Sequence, residues 1–185
     1  MVLMTRTLLA LLIVSIMVVG AAVPLVAREL VLQPKKVAAI VSPTNERDSR
    51  TLVYFELPRE SYVQKNKMAN AVLIFKAQVT DADFGALEIF PVGRDWQSTG
   101  LVSWSSPWDS PGGDYSKDRL GTGVTLKKDA GEKETRLNVT LIVKAWLDGA
   151  IPNNGLVILS SQADLGSSSV KYDFRGDSLK LKITY

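Results

Sequence analysis

The chain has 185 residues and a mass of 20.2 kDa, room for one domain with a substantial core. It contains no His and no Cys, which excludes Ser-His-Asp triads, His bases, His metal ligands, zinc knuckles, iron–sulfur sites, thiol nucleophiles and disulfides. Its 22 Lys and Arg against 19 Asp and Glu, a net of +3, are scattered and leave no nucleic-acid footprint, and an apolar share of 46% excludes bulk disorder.

The first element is an apolar run. After a single charge at Arg6, residues Thr7 to Ala27 carry no ionisable side chain. The densest part, Leu8–Val19, has the length of a signal-peptide core, and Gly20-Ala21-Ala22 supplies the small residues a signal peptidase accepts, with Ala27 as a second cleavage point. About 20 apolar residues also suffice to cross a bilayer, so the alternative is an uncleaved anchor. Both place the rest of the chain outside the cytoplasm, extracellular or at the cell surface, and any membrane contact runs through residues 7–27. Absence of Cys after the run rules out a lipoprotein anchor.

From Leu30 onward, apolar residues recur at spacing two or in short unbroken runs separated by turn formers, which is the pattern of strands. The strand candidates are Val37–Val41, Thr51–Glu56, Ala71–Gln78, Leu87–Pro91, Gly123–Leu126, Arg136–Val139, Gly155–Leu159, Ser169–Phe174 and Leu179–Thr184. Turn chemistry lies between them at Ser42-Pro43-Thr44-Asn45, Asp81-Ala82-Asp83, Ser110-Pro111-Gly112-Gly113, Pro152-Asn153-Asn154-Gly155 and Arg175-Gly176-Asp177. The last of these spells an integrin tripeptide but is an expected inter-strand turn.

One long irregular stretch, Ser103–Leu120, interrupts the strands. Trp108 and Tyr115 lie in it with no apolar neighbours in sequence, so they are the candidate sugar-stacking residues of an exposed loop. Asp109, Asp114 and Asp118 share the loop, and calcium tolerates irregular oxygen geometry, but the spacing is not that of an EF-hand and solvated carboxylates explain it. Lys127–Glu134 alternates in charge sign as a solvated hairpin tip does. Asn138-Val139-Thr140 matches the glycan acceptor pattern inside an apparent strand.

Thr140–Leu147 breaks the strand grammar. A capping Thr140, the helical spacing of Leu141, Ala145 and Trp146, and the stop signal Asp148-Gly149 predict a two-turn helix with Trp146 in the core. Trp146→Ala is accordingly expected to leave a large void, and Trp108→Ala to cost little.

The segments Thr51–Pro58, Ala69–Val79, Ala86–Pro107, Leu137–Leu159 and Leu179–Tyr185 occur in the order and spacing of one family. With Asn138-Val139-Thr140, Val143, Ala145, Trp146 and Gly149, then Asn153-Asn154-Gly155-Leu156 and the Trp96 and Trp104 pair, the chain from Arg50 to Tyr185 resembles the DNRLRE-type domain of secreted microbial proteins. The resemblance implies a non-catalytic jelly-roll sandwich, treated in part as a carbohydrate-binding module. It also implies core or loop-anchoring roles for Trp96 and Trp104. The chain departs from the family at Leu30–Ser49, where the usual opening strand segment is short, and at Lys171–Asp177, where the acidic and arginine pattern is degraded.

Together these features predict an all-β, jelly-roll-like β-sandwich with one short helix, preceded by an N-terminal apolar export helix. Residues 1–27 form the signal peptide or anchor, 28–49 a linker or first strand, and 50–185 the sandwich domain. The expected protein is exported, with no enzymatic activity, cofactor or metal. Its expected partner is an extracellular polysaccharide or a cell-surface protein, with no nucleic acid. The alternative function is that of a membrane-tethered structural or interaction subunit of a surface assembly.

Overall fold

A computed structural model describes residues 27–45, 48–79, 84–115, 120–127, 131–161, 170–173 and 178–185. Residues 1–26, which hold the expected export segment up to Val26, the Asp81-Ala82-Asp83 turn, Asp118 and the Arg175-Gly176-Asp177 turn lie outside these residues, as do parts of the charged hairpin tip.

Ten strands build two antiparallel sheets among the described residues: β1 (Glu29–Leu32), β2 (Lys36–Val41), β3 (Ser49–Tyr54), β4 (Asn70–Val79), β5 (Phe84–Pro91), β6 (Thr122–Lys127), β7 (Lys133–Asn138), β8 (Leu156–Ser161), β9 (Val170–Asp173) and β10 (Lys180–Thr184). Sheet A runs β1-β10-β4-β7, and sheet B runs β2-β3-β8-β5-β6. Short β9 also pairs with β4, at Lys76–Val79, beyond the stretch Asn70–Ile74 that pairs with β10. Because β7 already occupies one edge of β4 at Lys76 and Ala77, β9 and β10 must lie in tandem along the other.

The period of two sets the core. Leu73, Phe75 and Ala77 of β4, with Leu181 and Ile183 of β10, face inward from sheet A. Val53, Leu87, Ile89, Leu156 and Ile158 meet them from sheet B. Sheet A's other face is mixed, with Lys76, Arg136, Lys180 and Lys182 around Val72 and Ile74.

Two connections between the sheets carry short helices at the same end of the sandwich. One is α1 (Arg59–Val63), a single turn after Pro58 and followed by a 3-10 turn at Lys65–Lys67; the other is α2 (Thr140–Leu147). Helix α2 covers that end with Ile142, Val143, Trp146 and Leu147 buried. Its start corrects one expectation, because the Thr140 hydroxyl accepts a hydrogen bond from Ala71 N–H of β4 at 2.9 Å instead of capping the helix. The Thr140 N–H is taken by the Asn138 side chain at 2.9 Å. Its stop is a Schellman motif: Gly149 sits at φ 72°, its N–H donates to Trp146 O, and Ala150 N–H donates to Ala145 O.

The sequence reading treats residues 28–49 as a linker or first strand, whereas Glu29–Leu32 and Lys36–Val41 contribute one edge strand to each sheet. Helix α1 is an addition to the expected single helix.

Candidate functional site

The feature that sequence reasoning misplaces is the connection between β5 and β6. These strands are antiparallel neighbours, paired from Phe84↔Lys127 to Ile89↔Thr122, yet the chain leaves Pro91 and does not re-enter until Thr122. A tight hairpin would need a few residues. The excess chain packs on the outer face of sheet B, where Ile40, Leu52, Phe90, Val157 and Leu159 point away from the main core. Val92, Trp96 and Trp108 close over these side chains and form a second hydrophobic core, with Val102, Trp104 and Tyr115 at its margin. Sheet B is therefore the middle of three layers.

Trp108 is 8% exposed in this core, and its indole N–H donates to Ser103 O at 2.9 Å. That corrects the expectation of an exposed aromatic with nothing apolar beside it. Its neighbours come from β2, β3, β5 and β8, far away in sequence. Tyr115 is half-buried, stacks on Phe90 with ring centroids 5.4 Å apart, and forms a bridge to Val92. The two candidate sugar residues thus share one cluster, but Trp108 is turned inward. Trp96 is fully buried with its N–H on Asn154 O at 2.8 Å, which agrees with a core role.

Two cations of sheet B hold the excursion down. Lys36 Nζ donates to the carbonyls of Trp96, Gln97 and Thr99 at 3.4, 3.0 and 2.7 Å, and lies 5.3 Å from the Trp96 ring centroid. Arg50 reaches from β3 to Gly112 O at 2.5 Å, with its guanidinium 4.5 Å from the Trp104 ring and 5.3 Å from that of Tyr115. Gly112 is required at this approach. Its φ is +93°, and a Cβ there would overlap the Arg50 guanidinium.

The loop carboxylates serve the same purpose. Asp114 accepts N–H bonds from Asp109 and Ser110 and pairs with Arg94 Nε at 3.0 Å, while Asp109 pairs with the same guanidinium. Partial burial pushes the Asp114 carboxyl up, but the two backbone donors and Arg94 outweigh it and hold it below its ordinary value. The Arg94 guanidinium is held above its ordinary value, first through its hydrogen bond to Asp109. Asp95 is lowered chiefly by the Ser98 hydroxyl, which donates to it at 2.8 Å. Asp109 and Asp114, two of the three carboxylates weighed for calcium, are turned to an arginine, an arrangement that closes a loop. Among the described residues no group of three or more carboxylates could hold a metal ion.

The surface features left open are edges and ends. One edge of sheet B is β2, whose exposed residues are Val37 (41%), Ala39 and Val41 (46%). The other edges are guarded. On β6 the exposed positions are Gly123, Thr125 and Lys127; on β7 Lys133, Glu134, Arg136 and Asn138 are exposed; β1 exposes Val31 (51%) but has only four residues, with Glu29 ion-paired to Lys182 at 2.5 Å. No family model and no curated protein matches this chain.

Proposed function

We propose that the chain is an exported, non-catalytic sandwich that serves as a membrane-tethered structural or interaction subunit at the cell surface, joined to its neighbour through the β2 edge. The carrying observation is that edge. Six residues, Lys36–Val41, end sheet B with a row of apolar side chains exposed and no charge after Lys36, the kind of edge that accepts another strand. Export rests on the apolar run Thr7–Ala27. A jelly-roll assignment is supported by the order β1-β10-β4-β7 against β3-β8-β5-β6, in which every successive pair but β5–β6 crosses between sheets, with β2 at one edge and β9 beside β4 as additions. The DNRLRE-like segment order supports the same reading.

A photo-crosslinking residue at Val37 of the full chain in its native membrane should trap a neighbouring subunit, and one at Thr125 on β6 should not. The retained amino terminus should be seen by mass spectrometry. Cleavage after Ala22 or Ala27 together with a monomer by light scattering would sink the proposal.

The second reading is polysaccharide binding. Trp108 gives it little support, but the outer face of sheet A gives some, because Lys180 and Arg136 flank Ile74 across three strands, with Lys182 and Lys76 on either side, although Arg136 and Lys182 are paired with Glu134 and Glu29. That row fits an acidic polysaccharide. Retardation of the full chain in gels containing such a polymer, lost in Lys180→Glu/Lys182→Glu, would favour it; unchanged mobility in all such gels would remove it.

A further inference from the structure

The end of the sandwich that carries both helices is also the end at which the chain enters the fold. Arg28 O accepts the Tyr185 N–H at 2.9 Å, and the Arg28 side chain pairs with Glu60 of α1 at 2.5 Å. Lys65, just past α1, pairs with Asp148 at the end of α2 at 3.5 Å, so the two helices are neighbours. Both leave apolar side chains in solvent. Val63 is 76% exposed, Tyr62 40% and Leu141 69%. Beside α2, a groove of about 570 Å³ is lined by Pro91, Val92, Leu120, Ile151 and Pro152, among residues none of which is charged. Cations border this end. Arg59, Lys65, Lys67 and Lys144 lie on α1, the following turn and α2, against Glu60 and Asp148 on the same elements, four to two.

We infer that this end is a lipid-facing surface, which docks the sandwich on the anionic bilayer that its own apolar segment anchors, with Tyr62, Val63 and Leu141 at headgroup depth and the Lys and Arg side chains on the phosphates. The inference rests on the tethered reading of residues 7–27. Chain length carries it further. That run of 21 residues, Thr7–Ala27, is about what a bilayer requires, and only Arg28 separates it from β1. From Ala27 to Glu29 an extended chain reaches no more than about 7 Å. A sandwich on so short a leash presents its entry end to the membrane, and apolar tips bordered by Lys and Arg suit an interface of that chemistry.

The chain has no Cys, so single-cysteine variants take a polarity-sensitive nitrobenzoxadiazole probe at one position each. The full chain would be synthesised without processing enzymes in the presence of phosphatidylcholine vesicles with or without phosphatidylglycerol, and floated with them. Probes at Val63→Cys and Leu141→Cys should shift to the blue and be quenched by nitroxide lipids. A probe at Glu132→Cys, in the β6–β7 connection at the opposite end, should remain in water. Quenching should fall several-fold when phosphatidylglycerol is omitted or when Arg59→Glu, Lys67→Glu and Lys144→Glu are combined. A chain that floats with Val63 and Leu141 probes as wet as Glu132 overturns the docked surface and leaves the tether standing. A chain that does not float overturns both.

Discussion

At the residue scale, the four tryptophans separate into two environments. Trp146 closes the end of the main core at 2% exposure, and Trp108 closes the second core. Removing either ring from a packed site costs about 3–5 kcal/mol. Urea melts should therefore show Trp146→Ala and Trp108→Ala as comparably damaging, where the sequence reading expects the second to be mild. A loss of only about 0.5 kcal/mol for Trp108→Ala would mean that the excursion does not bury it. Indole N–H groups provide a finer contrast. Trp96 donates to Asn154 O, whereas the Trp146 N–H is buried without a hydrogen-bond partner among the described residues. Trp96→Phe leaves a carbonyl unpaired and should cost about 1–3 kcal/mol more than Trp146→Phe. Equal costs in the same melts would show that the Trp96 bond contributes nothing.

At the element scale, the strands and α2 are legible because period and punctuation are local. The candidate strands each fall on an observed one, and Thr140–Leu147 matches α2 at both ends. What is lost is lost for physical reasons. Helix α1 has five residues, too few for a helical period to register, and β1 has four. Trp108 is misjudged because its partners are brought to it by sheet B and not by its own segment. A signal for the second core is nonetheless present: Leu156-Val157-Ile158-Leu159 is unbroken, as expected of a strand covered on both faces, and something must cover the second face. The staples of the excursion also predict its response to acid. Asp114 and Asp95 are both held below the ordinary value of 3.8, so their contribution is complete above that value and is lost as pH falls through the lower native ones. Tryptophan emission of the full chain should stay constant down to about pH 4 and change below it, with a smaller acid transition in Asp114→Asn. An acid transition of unchanged size in that variant would remove Asp114 from the account.

At the scale of the whole molecule, the three layers share their middle one. Adjacent residues of sheet B serve opposite cores, Leu52 and Val157 the outer, Val53 and Ile158 the inner. Lys36 and Arg50 tie the outer layer to the edge strand β2 and its neighbour β3. Peeling off the excursion would expose the apolar face of Ile40, Leu52, Phe90, Val157 and Leu159 to water, a penalty on the order of 1.5–3 kcal/mol for each large side chain. A partly open state is thereby disfavoured at neutral pH, and unfolding should be a single transition. Trp146→Phe leaves Trp96, Trp104 and Trp108, all in the excursion, as the only indoles. In that variant the urea transition followed by tryptophan emission should coincide with that of the sheets followed by far-ultraviolet circular dichroism. If emission changes at distinctly lower urea, the excursion is an independent flap and not the third layer of one cooperative fold.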